Sequence, residues 1–125
     1  MANPNIVNVT TIYGNSSQTS LTTTSATSLV SNAAASGKVF KINSIVVANV
    51  DGTNNTEVTV SIYSQAALAG TAYPIASTIT VPADSSLIVT DKTTSFYLLE
   101  NQSIGATAGA ANDLVVTASW EEINS

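Results

Sequence analysis

Apolar residues recur at every second position along much of the chain, and no helical spacing of useful length appears. The run 38–50 is the strongest, with Phe40, Ile42, Val46, Ala48 and Val50 on one alternating face. The run 56–64 follows with Val58, Val60 and Ile62 on one face and Glu57, Thr59, Ser61 and Tyr63 on the other. Between them, residues 51–55 open with Asp-Gly, a turn former, so the two runs are expected as one long antiparallel hairpin. Further strands are expected over 74–81 (Ile75, Ile79, Val81), 86–90 (Leu87, Val89), 95–99, and 113–123, where Leu114, Val116, Ala118 and Trp120 share a face. Residues 103–108 read as a poor strand of small residues, and 65–72 as a loop or one helical turn. Turns are expected over 32–37, at Pro82-Ala83-Asp84 and over 100–102.

The first third of the chain reads differently. Residues 6–13 alternate as a strand with Val7 and Val9 on one face, and 26–31 give a short strand with Leu29 and Val30. From Asn15 to Thr27 the chain is nearly all Ser and Thr, with Leu21 its one large apolar residue. Such a segment is too polar for a core strand yet β-prone, so it suits either an exposed edge strand or an arm added to a neighbour's sheet. Ser20, Leu21 and Thr22 are the residues expected at that contact. The organisation is therefore one domain, with a Ser/Thr-rich strand or arm over 1–31 and a body over 32–125. Eight or so short strands separated by Gly, Pro, Asn and Asp predict an all-β fold, an antiparallel β-sandwich or jelly roll.

Composition narrows the chemistry. The chain has 125 residues, of which 17 Ser, 18 Thr, 12 Asn and 3 Gln supply the polar surface, while charged residues are only 9%. With no Cys and no His there is no disulfide, thiolate, haem ligand or zinc site, and no triad of the usual kind. The net charge of −5 and the three cations Lys38, Lys41 and Lys92 argue against nucleic acid and anionic membranes as partners. The opening Met-Ala-Asn-Pro-Asn lacks the basic and apolar regions of a signal peptide, so none is expected. Asp51, Thr53, Asn55 and Glu57 place oxygens at alternate positions, a weak candidate for calcium, but the glycine is misplaced for an EF-hand loop and a polar loop is the expected reading. Glu121 and Glu122 are adjacent and must point to opposite faces of a strand, so they cannot pair as acid and base. No catalytic residues, cofactor or metal are expected. Phe40, Phe96 and Trp120 are expected in the core or a subunit contact. Tyr63 and Tyr73 are the aromatic candidates for a ligand or partner surface.

A run of particular segments carries a resemblance. Ala-Ala-Ala-Ser-Gly-Lys-Val-Phe-Lys-Ile-Asn-Ser-Ile-Val-Val-Ala-Asn-Val-Asp-Gly (33–52) is followed by Thr-Val-Ser-Ile-Tyr (59–63). Then come Ile-Thr-Val-Pro-Ala-Asp-Ser-Ser-Leu-Ile-Val (79–89), Tyr-Leu-Leu-Glu-Asn-Gln-Ser-Ile (97–104) and a last strand ending in an acidic pair. This cadence over about 33–123 resembles small β-sandwich virion proteins of tailed bacteriophages, cyanophage-like ones in particular. The resemblance implies a non-enzymatic structural role in the virion, as a capsid decoration or cement protein that stabilises the head. Its implied partners are the major capsid protein or other virion proteins and itself, as a homo-oligomer such as a trimer. The alternatives are a tail, neck or fibre accessory protein, or a carbohydrate-binding or receptor-adhesion module.

Overall fold

The computed structural model describes residues 4–124, so the expectation drawn from the first residues of the chain lies largely outside it. It contains nine strands: β1 (Thr11–Ser20), β2 (Thr27–Asn32), β3 (Lys38–Asn49), β4 (Thr56–Gln65), β5 (Ala69–Val81), β6 (Ser86–Thr90), β7 (Phe96–Leu98), β8 (Gln102–Ala108) and β9 (Leu114–Asn124). A 3-10 turn over Lys92–Thr94 precedes β7. One sheet runs β1-β9-β3-β6, with β7 beside β6 along the same flank of β3, and the other runs β2-β8-β4-β5. Every pairing is antiparallel. The fold is thus the antiparallel β-sandwich that the alternation predicts. Among the described residues, no helix is long and apolar enough to cross a membrane.

The core lies between the sheets. Ile42, Ile45, Val47, Leu98, Leu114, Val116 and Ala118 from the first meet Leu29, Val30, Val58, Val60, Val81, Ile104, Ala106 and Ala108 from the second. Each large aliphatic side chain withdrawn here contributes about 1.5–3 kcal/mol against leaving it in water. The Phe40 and Trp120 rings stack at one end of this layer, centroids 6.2 Å apart. The Lys38–Glu122 ion pair, 2.6 Å long, lies on the same two strands, at the start of β3 and near the end of β9.

The sequence reading needs correction at four places. First, the even-numbered face of β3 does not persist. Against β9, Ile42 pairs with Trp120 and Ser44 with Ser119, so Asn43 is an extra residue, a β-bulge. Inward positions shift from Phe40 and Ile42 to Ile45, Val47 and Asn49, leaving Val46 and Ala48 half-buried and Val50 exposed. Second, β3 and β4 are not a hairpin. They lie in opposite sheets, because each carries an apolar face that is buried by facing the other across the core rather than by lying beside it. The hairpin is instead β4–β5, and its turn falls within the segment expected to be a loop.

Third, residues 5–8 form a turn, not the start of a strand, and β1 begins at Thr11. The first part of the Ser/Thr segment, residues 15–20, pairs with β9 of its own chain as the second half of the ten-residue strand β1, an edge strand rather than a free arm. Its inward residues Asn15, Ser17 and Thr19 sit at the margin of the sandwich, and the Ser17 hydroxyl donates to the Leu29 carbonyl across the gap. Fourth, β8 is no marginal strand. It is a central one, and its small residues are required by close cover: a Cβ on Gly105 would sit 2.7 Å from Leu68 Cδ2 and 3.1 Å from Tyr63 Cε1. The β4–β5 turn that brings Leu68 there has left-handed Ala67 and Leu68 (φ 58° and 59°). Their amides, with that of Ala66, are taken by Asn101 Oδ1, Ser31 Oγ and Ser103 Oγ.

Two buried asparagines join the sheets. Asn49 Nδ2, at the end of β3, donates to the carbonyls of Asn54 and of Val81 at the end of β5, both at 2.9 Å. Its Oδ1 accepts from the Asp51 amide. Asn32, at the end of β2, donates to the carbonyls of Lys38 and of Leu98 in β7. Each amide side chain thus ties the end of one strand to backbone carbonyls of the facing sheet.

Candidate functional site

The alternating oxygens of the 51–57 loop do not converge. Asp51 Oδ1 accepts from the amides of Thr53 and Asn54, and Oδ2 from the Asn54 side chain. These bonds, the Thr53 amide foremost, hold the Asp51 carboxyl below its usual pKa. Asn55 Oδ1 is turned to the Ala83 amide. The loop is an Asx turn whose oxygens organise the chain, and no group of three or more acidic residues suited to a metal gathers among the described residues. The Asp113 carboxylate nearby accepts from the Thr56 hydroxyl at 2.8 Å.

The two tyrosines are neighbours in register but not in orientation. Tyr63 pairs with Ala72 and Tyr73 with Ile62, so the tyrosines point to opposite faces of the β4–β5 ribbon. Tyr63 is half-buried against the outer side of Gly105, and Tyr73 is 60% exposed. They do not form one aromatic platform. Of the trio at the end of β1, Ser20 and Thr22 are exposed, but Leu21 is fully buried. Its amide donates to the Leu114 carbonyl and its carbonyl accepts from Asn112, so it plugs the core and offers nothing to a partner.

The feature that sequence reasoning missed is on the β5/β6 flank. There β6 ends at Thr90, the chain makes the 3-10 turn, and β7 resumes the edge at Phe96. Asp91 caps that turn: Oδ1 accepts from the Thr93 amide and hydroxyl, and Thr94 Oγ1 accepts from the Asp91 amide. The Thr93 hydroxyl and then its amide hold the Asp91 carboxyl below its usual pKa. On the facing sheet, Val60 pairs with Ala76 and Ser61 with Pro74, leaving Ile75 as an extra residue on β5. A broken edge thus faces a bulged one, and a groove of about 210 Å³ opens between them. It is lined by Ile75, Val89, Thr90, Thr94 and Phe96. Its hydroxyls are already engaged: Thr90 Oγ1 donates to the Thr94 carbonyl at 2.9 Å and lies 2.6 Å from Thr94 Oγ1. The groove therefore offers apolar contact and carries no charge. The signal in the sequence was Thr90-Asp91-Lys92-Thr93-Thr94, a capping pattern that interrupts an apolar alternation.

No family model matches the chain, and no curated protein matches it. Among solved structures, a chain from Bacillus endospore appendages, described as a novel family of disulfide-linked pili, aligns over 92% of this chain and 90% of its own. The TM-score is 0.51 and the identity 21%. What the two chains share is therefore the fold, a sandwich of two antiparallel sheets.

Proposed function

We propose that this chain is a non-enzymatic structural subunit that works by packing against copies of itself and against a larger protein assembly. The observation that carries this reading is the β5/β6 flank. Two edge strands lie unpaired beside each other, with Tyr73, Ile75 and Ile79 at 60%, 40% and 40% exposure on β5 and an uncharged groove between the sheets. Monomers ordinarily cover or charge such edges. The similarity to a pilus chain supports the same reading at the level of fold. Its disulfide linkage has no counterpart here, since this sequence has no Cys, so contacts between copies would be non-covalent.

The specific form we favour is a virion protein that decorates a phage head, on the strength of the strand-and-turn cadence over 33–123. Apolar contacts with few charges would hold such a shell together with little sensitivity to salt, and binding only the assembled shell would stabilise it by mass action. A filament subunit is the second reading, favoured by the pilus neighbour. The carbohydrate module would have to rely on Tyr73 alone, because Tyr63 faces the other way. The test is electron microscopy of the purified chain at rising concentration, alongside co-sedimentation with tailed-phage heads. Saturable binding to heads supports decoration and filaments support the second reading. Neither, together with glycan affinity lost in Tyr73→Ala, overturns both.

A further inference from the structure

The two sheets end in flanking strands, and all but one of these edges are blunted. β2 is six residues long and is bulged between Ser28 and Val30. β5 carries Pro74 and three shifts of register, and the β6–β7 edge is broken by the capped turn. Short length, bulges, proline and charge are the usual means by which an edge refuses another strand. β1 has none of them. It runs ten residues against β9 without a shift of register, and it contains neither a proline nor a charged residue. The direction of its main-chain groups follows from the ladder. The Leu21 amide donates to the Leu114 carbonyl, while on the other side of β9 the Val50 amide donates to the Asp113 carbonyl. Odd-numbered residues of β1 therefore bond to β9, and Ile12, Gly14, Ser16, Gln18 and Ser20 aim their N–H and C=O groups away from the sheet. Gly14 lies within that row. It has no positive φ and no bulge, and nothing lies within 4 Å of where its Cβ would sit. Its own chain gives no reason for a glycine, and a glycine inside a regular strand marks a place that another backbone approaches closely.

We propose that β1 pairs antiparallel with β1 of a second copy across a two-fold axis, so that the β1-β9-β3-β6 sheet continues from one molecule into the next. This rests on the reading of the chain as a self-packing structural subunit, and it names the contact and its symmetry. A second β1 matches this edge along its whole length. It is equally long and equally regular, and it lets a chain of net charge −5 meet itself along a strand where no like charges are opposed. The inward faces of both copies must lie on one side of the joined sheet, so residues of the same parity are opposed. Centring the axis on Ser16 is the register that uses all five outward residues. Ile12 then pairs with Ser20, Gly14 with Gln18 and Ser16 with its own counterpart, for about ten main-chain hydrogen bonds. Tyr13, which is 55% exposed, faces Thr19 in the closer non-hydrogen-bonded geometry, an aromatic beside a β-branched residue. The contact is two sheets deep, because β2 lies behind β1 where the Ser17 hydroxyl reaches the Leu29 carbonyl. A ten-residue strand spans about 34 Å and the flank of a sandwich is about 15 Å deep, so about 500 Å² is covered on each copy. The total of about 1,000 Å² meets the lower bound for a specific interface.

The experiment is sedimentation equilibrium of the full chain up to roughly millimolar concentration, the range a contact of this size calls for, with the variants Ser16→Lys and Ser16→Glu. Ser16 is exposed, and unchanged circular dichroism confirms that each variant folds. The parent is expected to dimerise. Each variant alone sets like charges against each other on the axis and is expected to associate at least tenfold more weakly. An equimolar mixture of the two is expected to regain the parent's association, because lysine then faces glutamate. Gln18→Pro is a second probe: it removes one outward N–H that β9 does not use, and it is expected to weaken the dimer likewise. If the parent assembles and these variants assemble equally well, this contact is wrong while the structural-subunit reading stands. If both charged variants lose association and their mixture does not regain it, the pairing about Ser16 is overturned. A parent that is monomeric throughout also overturns the contact, and the broader reading falls with it only if the chain binds no phage head.

Discussion

Replacing Asn49 tests whether the two sheets are joined by side-chain amides as much as by the apolar layer. The residue is 2% exposed and occupies the last inward position of β3, after Ile45 and Val47. Asn49→Leu keeps most of the volume and removes every hydrogen bond the side chain makes. The Val81 carbonyl then loses a donor inside the sandwich, which costs about 1–3 kcal/mol. The Asn54 carbonyl belongs to an exposed residue and recovers much of its loss from water, but the Asp51 amide also loses the acceptor that starts the loop. The sum is about 2–4 kcal/mol, a large share of the ~5–15 kcal/mol that holds a domain together. At about 4 °C per kcal/mol for a chain of this length, the melting temperature falls by roughly 8–15 °C. Urea unfolding followed by circular dichroism gives the free energy, and an unchanged m-value would show that the denatured state is not involved. Asn49→Asp is expected to cost more than Asn49→Leu, since it aims a buried negative charge at two carbonyl oxygens. An Asn49→Leu protein within about 0.5 kcal/mol of the parent would refute the argument and return the whole of the sheet-to-sheet attraction to apolar packing.

Three further outcomes are expected. Gly105→Val drives its side chain into Leu68 and Tyr63, and Leu68→Ala should relieve part of that loss, so a double-mutant cycle over urea midpoints will be non-additive. Asp51 and Asp91 have folded pKa values below their unfolded value of 3.8. Their contribution is therefore present above that value and lost as pH falls through the lower folded pKa. Stability measured from about pH 5 down to about pH 2 should drop less steeply in an Asp51→Asn, Asp91→Asn double variant, and an unchanged slope would contradict the assignment. Deleting Asn43 alone removes the bulge but keeps Ile42, Ile45, Val47 and Asn49 on one face, so the thermal melt should stay cooperative, whereas deleting Asn43 and Ser44 together turns Val46 and Ala48 inward and should abolish cooperative unfolding.

How much of this was legible follows from where the deciding forces lie. Strand existence was legible, because alternation such as Val58-Val60-Ile62 is a local record of one buried face. Partnership was not. The Asp-Gly after β3 is a sound turn signal, yet β3 and β4 sit in different sheets, since two apolar faces can be hidden by stacking as well as by pairing. Phase was not legible either: Phe40, Ile42, Val46, Ala48 and Val50 fit one alternation with only Ser44 polar in it, and the β9 register is what shows that Asn43 resets the face. β8 was undervalued because a central strand that is closely covered needs small residues, and those are the residues with weak local β preference.

The candidate site was less legible than the fold for a related reason. A groove between a broken edge and a bulged edge belongs to neither strand, so no stretch of sequence carries it. Tyr73, singled out as a large aromatic before a proline, lies on β5 two residues from Ile75 and does not itself line the groove. Ile75 itself, Val89 and Phe96 look like ordinary strand residues. They become a surface only because Asp91 stops β6 with a capped turn and β5 carries an extra residue opposite. In a chain with 9% charged residues, few side chains are left to form specific ion pairs with a partner. Shape at the edges is what remains to make contacts specific. A capped break in one edge strand and a bulge in the other turn two generic β edges into one shaped groove. This is also why Asp91 should affect assembly as well as stability: freeing its turn would let β6 run on toward β7 and close the groove, although Asp91 itself does not line it.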